Sequence, residues 1–236
     1  MPEDTASLTD LLQRLSEGQA ASHDDIVAAF QTVMAGEADP AQTGALLGML
    51  AMKGVDRDQL TAAATVMRDN ATRVEAPDHL TLVDTCGTGG DHAGTFNIST
   101  AAALVTAGAG REHDIAVAKH GNRSVTSNSG SSQVLEALGV TLTAPPAVLR
   151  RCLAEAGICF CFAPAHHPAM KHVVPVRKAL GFRTLFNVVG PLTNPAGARR
   201  QMLGVFDPEL TTLMAEVLKD LGAERAMVVH GAGGLD

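Results

Sequence analysis

Apolar positions recur at helical spacing through the N-terminal part of the chain. Leu8, Leu11, Leu12 and Leu15 follow Ser7, whose hydroxyl can accept from an otherwise unpaired backbone N–H and so cap a helix start. Ile26, Val27, Phe30, Val33 and Met34 repeat the pattern and stop at Gly36. Pro40 opens a third helix carrying Leu46, Leu47 and Leu50, which Gly54 closes; Asp56 caps a fourth, with Leu60, Ala63, Ala64 and Met67 inward. After Pro77 the pattern changes. Strands are predicted over 80–84, 115–118 and 158–162, then a short one ending at Val205 and a last one over 226–229. Helices are predicted over 99–109, 131–138, 146–156, 168–180 and 208–221. Strands alternating with helices imply a mainly parallel sheet flanked by helices. The expected architecture is therefore α/β with a small N-terminal all-helical domain. The helical domain is placed at 1–75 and the α/β domain at 76–236, with the helices around 168–190 as candidates to pack with the former.

Composition narrows the function more than the fold. Aromatic residues make up 3%, all Phe, so packing must rest on Ala, Leu, Val and Met, which suits close helix contacts. The formal charge of −7, with no basic stripe or tail, argues against a nucleic-acid partner. The N-terminus is acidic and lacks an apolar core, so no secretory signal is read, and the apolar runs are too short for a membrane span. Cys86, Cys152, Cys159 and Cys161 show no CxxC spacing, and Cys159 and Cys161 alternate with Ile158, Phe160 and Phe162 as on a buried strand. Reduced thiols in a cytoplasmic protein are the expectation.

Four segments carry candidate chemistry. In the first, Asp84-Thr85-Cys86-Gly87-Thr88-Gly89-Gly90-Asp91 is followed by Thr95-Phe96-Asn97-Ile98-Ser99-Thr100 at a helix start. A glycine turn after a strand lets backbone N–H groups approach a pyrophosphate, and the helix start adds unpaired donors. It is neither Gly-x-Gly-x-x-Gly nor a Gly-Lys-Ser loop. In the second, Lys119-His120-Gly121-Asn122-Arg123-Ser124-Val125-Thr126-Ser127 leads to Ser129-Gly130-Ser131, placing two cations, a His and several hydroxyls just after a strand. That is where ligands bind in open α/β sheets, although a solvated loop capping the next helix would look similar. The third, Ala163 to His172 followed by Pro175-Val176-Arg177, holds three histidines at no usual zinc spacing. Arg177 lies ten residues past His167, close to three helical turns, so the two can share a helix face. The fourth, Arg183-Thr184-Leu185-Phe186-Asn187-Val188-Val189-Gly190-Pro191-Leu192-Thr193-Asn194-Pro195, reads by itself only as an apolar stretch and a rigid turn.

In this order the four segments resemble the anthranilate phosphoribosyltransferase family, from about Leu8 to the last residue. The motifs are Gly-Thr-Gly-Gly-Asp with Thr-Phe-Asn-Ile-Ser-Thr, Lys-His-Gly-Asn-Arg-Ser-Val, His-Pro-Ala-Met-Lys-His, and Arg-Thr-x-Phe-Asn-x-x-Gly-Pro-Leu-x-Asn-Pro. Pyrimidine nucleoside phosphorylases, the alternative, share the architecture but carry glycines where this chain has Asn122 and Ser124.

The resemblance implies transfer of the 5-phosphoribosyl group of phosphoribosyl pyrophosphate to anthranilate, in tryptophan biosynthesis. It implies that Gly87, Gly90, Asp91, Thr95, Asn97, Ile98, Ser99 and Thr100 bind the phosphoribosyl donor, together with the loop Lys119, His120, Gly121, Asn122, Arg123, Ser124, Val125, Thr126 and Ser127, and with Ser131. Gly87, Asn122 and Arg177 are implied for anthranilate, Arg177 on its carboxylate, with His120 and His167 lining the way in. Magnesium is the implied cofactor, with Ser99 and Asp236 as its candidates, and a homodimer through the N-terminal helices is the implied assembly. His92 and the turn Arg111-Glu112-His113-Asp114 depart from the family pattern. The family's His-Gly-x-x-Gly-Leu-Asp-Glu run stops here at Asp236, before the Glu, so the sequence reads as C-terminally truncated, and an inactive ligand-binding or dimerisation fragment is a second alternative.

Overall fold

The structure, a computed structural model, describes residues 7–89, 96–123 and 130–232. Its helices in chain order are α1 (Leu8–Ser16), α2 (His23–Ala35), α3 (Pro40–Lys53), α4 (Arg57–Asp69), α5 (Ile98–Gly110), α6 (Ser131–Ala137), α7 (Pro146–Ala156), α8 (Ala163–His166), α9 (Val174–Leu180), α10 (Phe186–Val189) and α11 (Leu210–Asp220). The strands are β1 (Thr81–Gly87), β2 (Ile115–Gly121), β3 (Ile158–Phe162), β4 (Arg200–Gly204) and β5 (Arg225–Val229). The chain divides into two units: Met1–Ala71 with His167–Thr193, and Thr72–His166 with Asn194–Asp236.

In the helical unit, α1, α2 and α3 each begin with a reciprocal capping box, from Ser7, Ser22 and Asp39, and Asp56 caps α4 by accepting from the Gln59 N–H. Their apolar stripes meet in a core that includes Ile26, Phe30, Leu46, Leu47 and Leu60, and the Phe30 ring packs 5.6 Å from that of Phe186. Gly36 ends α2 in the left-handed conformation, and the His172 ring occupies the space a Cβ there would need.

The single helix predicted over 168–180 is two pieces. A 3-10 turn runs over Pro168–His172, and α9 starts at Val174 with Pro175 in its first turn. Proline has no N–H to donate and its ring crowds the preceding turn, so a continuous helix through Pro175 is excluded. The helical-spacing argument that put His167 and Arg177 on one face therefore fails.

In the other unit the strands form one sheet of order β3-β2-β1-β4-β5, every neighbouring pair parallel. Because successive strand residues face opposite sides, the apolar clusters report which helices cover which face. Val117 and Ile158 pack with Ala103 and Ala107 of α5, and Phe160 and Phe162 pack with Leu135 of α6. Ala116, Ala118, Cys159 and Cys161 meet Leu149 and Leu153 of α7 on the other side. Both β1 and β2 run three residues past the ends expected from sequence, so Lys119 and His120 are strand residues, buried, rather than parts of a polar loop. Among the described residues no helix is long and apolar enough to cross a membrane.

Candidate active site

At the carboxyl end of the sheet, Gly87 closes β1 opposite Gly204 of β4. The next residue is tied down: the Thr88 N–H donates to the Gly204 carbonyl at 2.9 Å, and the Thr88 hydroxyl accepts from the Phe206 N–H at 3.1 Å. Gly90, Asp91, His92 and Thr95 lie outside the described residues. Asn97 stands at the N-cap position of α5, and Ile98, Ser99 and Thr100 form its first turn, where the aligned peptide dipoles concentrate positive potential although the Ile98 and Thr100 N–H groups already donate to the Phe96 and Asn97 carbonyls. The Thr85 hydroxyl donates to the Ser99 carbonyl at 2.9 Å and fixes this turn beside the end of β1.

Lys119 reaches the same place from β2. Its ammonium donates to the Thr85 carbonyl at 2.6 Å and to the Ser99 hydroxyl at 3.0 Å, and its third N–H has no partner among the described residues. On the opposite side of the strands the fully buried Asp84 carboxylate accepts the His120 N–H at 3.1 Å and the Asn194 amide at 2.8 Å, with the Cys86 thiol also bonded to it. Burial pushes the Asp84 carboxyl up and the Lys119 ammonium down, and the charge of each opposes the shift in the other. The geometry favours the ionised pair, because every bond the two groups make stabilises the charged forms.

The end of β2 continues the site. The Asn122 side-chain oxygen accepts the Arg123 N–H at 2.7 Å. The Arg123 guanidinium bonds both oxygens of Glu136 at 3.2 and 3.1 Å and lies 5.9 Å above the Phe162 ring. Ser131, the first residue of α6, points its hydroxyl toward the Asn122 carbonyl at 3.5 Å. Ser124, Val125, Thr126 and Ser127 lie outside the described residues, as does Asp236. Gly87, Ser99, Lys119, His120, Gly121, Asn122, Arg123 and Ser131 thus sit on elements that converge at the carboxyl ends of β1 and β2.

His167 and Arg177 belong to the helical unit. The His167 ring is buried, its Nε2 3.5 Å from the Thr193 hydroxyl, which donates to the Gly190 carbonyl at 2.8 Å. His120 is equally buried in the sheet unit, so neither ring stands open to solvent. The Arg177 guanidinium lies 5.5 Å above the Phe186 ring, and burial lowers its pKa. No carboxylate among the described residues pairs with it.

Sequence reading gave no role to Asp84, Thr85, Glu136 or Asn194. Asp84 carried a usable signal, a charged residue closing an apolar strand before a glycine turn. Asn194 looked like part of a proline turn, and only the folded chain brings it to Asp84. For magnesium, the described residues contain no cluster of three or more metal-binding side chains, and Ser99 offers one neutral oxygen already accepting from Lys119. That donor set suits an ion carried mainly by substrate phosphates and water rather than one caged by protein.

Comparison with known proteins agrees with a helical unit followed by an α/β unit. Residues 79–236 match the a/b domain of a glycosyl transferase family, and residues 9–71 match the helical bundle domain of the same family. An anthranilate phosphoribosyltransferase from Chromobacterium violaceum is 53% identical over 225 residues, which cover 95% of this chain and 65% of the relative. The crystal structure of anthranilate phosphoribosyltransferase from Thermus thermophilus superimposes with a TM-score of 0.88 at 45% identity, covering 96% of this chain and 67% of that one. The Saccharomyces cerevisiae enzyme in complex with PRPP and magnesium gives a TM-score of 0.87 at 28% identity, covering 98% of this chain and 68% of that one. This chain spans 65–66% of the length of the curated relatives it matches. With both of its domains matched in order, the chain belongs to the glycosyl transferase family that joins a helical bundle to an a/b domain, among the anthranilate phosphoribosyltransferases.

Proposed function

We propose that this chain carries the substrate-binding machinery of an anthranilate phosphoribosyltransferase, which joins anthranilate to the 5-phosphoribosyl group of phosphoribosyl pyrophosphate and releases pyrophosphate, in tryptophan biosynthesis. The observation that carries the reading is the buried Lys119 ammonium, held on Ser99 at the first turn of α5 beside Gly87, with one N–H left for a ligand. A cation, the positive end of a helix and a glycine turn together suit the oxygens of a diphosphate. In this reading Gly87, Gly90, Asp91, Thr95 and residues 97–100 hold the donor, and residues 119–127 with Ser131 complete its contacts. Arg177, half-buried with no acidic partner among the described residues, is the candidate for the carboxylate of anthranilate, and Gly87, Asn122, His120 and His167 are carried as the further candidates for that substrate.

Ser99 and Asp236 are the residues that would hold a magnesium ion, which would supply charge neutralisation of the diphosphate leaving group. The residues' own part is positioning. They hold the anomeric carbon with its C–O bond to pyrophosphate opposite the anthranilate nitrogen, so that the C–N bond forms on one face as the C–O bond breaks on the other. The nitrogen then gives up its proton to water. An aromatic amine is already unprotonated at neutral pH, so the mechanism assigns no general base. The four cysteines are all thiols, in keeping with a cytoplasmic setting, and the exposed Met52 and Phe182 of the helical unit favour a homodimer through it.

The test is the loss of anthranilate fluorescence with phosphoribosyl pyrophosphate and magnesium, for the parent chain and for Lys119→Met. Turnover by the parent that falls at least tenfold in the variant supports the reading. Phosphorolysis of thymidine or uridine would point to a nucleoside phosphorylase instead, and donor affinity unchanged in Lys119→Met would refute the placement of the phosphates.

A further inference from the structure

Registered pairing between β1 and β2 ends at Val83 and Val117, although both strands continue. β1 stays paired with β4 to Gly87, and β2 stays paired with β3 to Gly121. The two central strands therefore part at their carboxyl ends, and the backbone groups facing the gap need other partners.

Side chains supply them from both faces of the sheet. The His120 N–H goes to the Asp84 carboxylate at 3.1 Å, and the Ala118 carbonyl accepts the Asn194 amide at 2.8 Å. The Thr85 carbonyl accepts the Lys119 ammonium at 2.6 Å. Asn194 is the centre of this set: its one NH2 group serves both Asp84 and Ala118, while its oxygen accepts the Ala196 N–H at 2.9 Å.

A continued backbone ladder would satisfy the same groups with no buried charge and would hold the strands about 4.8 Å apart. Burying a carboxylate and an ammonium instead is an expensive way to stabilise a sheet. It is the arrangement expected where a wider separation is needed.

We propose that Asn194 is a positioning residue for the donor site: with Asp84 and Lys119 it forms a polar wedge that holds the ends of β1 and β2 apart, and so sets the spacing between the glycine loop after β1 and the Lys119–Arg123 segment. The role in donor binding rests on the function proposed above; the wedge itself does not.

Two measurements on the 236-residue chain separate these. The first is amide hydrogen exchange across 116–121 without ligand. The second is calorimetric affinity for phosphoribosyl pyrophosphate with magnesium. Asn194→Ala is expected to speed exchange at His120 and to weaken donor binding at least tenfold. The double variant Asp84→Ala with Asn194→Ala removes the buried carboxylate together with its partner. It should regain part of the lost thermal midpoint but stay at least tenfold weaker for the donor. Should Asn194→Ala fail to fold, Asn194→Ser keeps a short donor and is expected to bind several-fold more weakly. Parent-level affinity in the folded double or Ser variant would overturn the positioning role, and unchanged exchange at His120 would overturn the wedge. A parent chain that does not bind the donor at all counts against the proposed function instead, and the exchange data still decide the wedge.

Discussion

Replacing Gly121 by Ala tests how tightly the end of β2 is packed, because the added methyl has nowhere to go. A Cβ at this position would lie 2.7 Å from Phe160 Cε2, 2.8 Å from Phe160 Cζ and 2.8 Å from the Ser131 hydroxyl. Carbon atoms normally meet at about 3.5–4.0 Å, so the Phe160 ring must retreat by about an ångström. It has little room: the ring is 7% exposed, stacks 6.5 Å from Phe162 and packs among Leu135 and Leu142. Gly121 does not have a positive φ, so the backbone tolerates Ala and the cost is steric. Overpacking of this kind costs about 1–3 kcal/mol. For a chain of this size that lowers the thermal midpoint by about 2–12 °C. The displaced Ser131 should also weaken phosphoribosyl pyrophosphate binding. Scanning calorimetry and titration calorimetry read the two effects. Adding Phe160→Leu, which clears space for the methyl, should return part of the midpoint. A Gly121→Ala chain with parental midpoint and parental donor affinity would refute the reasoning.

Arg177→Ala should raise the anthranilate KM far more than the donor KM, because a charge-assisted contact contributes about 1.5–3 kcal/mol, roughly ten- to two-hundred-fold; equal effects on both substrates would remove Arg177 from the carboxylate. Ser99→Ala removes an acceptor of Lys119 and a candidate magnesium contact. Donor affinity should fall about tenfold, and the difference between magnesium and EDTA should shrink, by calorimetry. Burial raises the Asp25 carboxyl, but bonds from Arg14 and Ser22 outweigh it and leave the pKa below its ordinary value. A depressed folded pKa stabilises above the unfolded value, about 3.9, and that contribution is lost as pH falls through the folded one. Denaturation of Asp25→Asn between pH 2 and 6 should therefore show a shallower acid decline than the parent. Cys86, Cys159 and Cys161 are buried, and the thiol of Cys161 is pushed up by its bond to Cys159 and then by burial. A thiol reagent should accordingly modify Cys152 first, and the other three only on unfolding.

What the sequence determined by itself is what depends on neighbours along the chain. Helix starts at Ser7, Pro40 and Asp56, and the end at Gly36, follow from local hydrogen bonding and from the few residues that tolerate those conformations. The period switch after Pro77, and the buried strand over Ile158–Phe162, likewise lie in the pattern of apolar residues. The order of the four motifs was enough to carry the family. The tertiary structure decided what depends on partners far along the chain. Lys119 and His120 look like loop residues because they are polar, yet the strand continues through them, since β3 supplies the pairing and Asp84 and Ser99 supply the polar partners. The break before α9 came from Pro175, a local cause that helical spacing alone overrode. Asn194 reads as a turn residue, and 110 positions separate it from Asp84. Only folding brings that amide to a buried carboxylate, because a charge taken out of water must find its hydrogen bonds wherever the chain can deliver them.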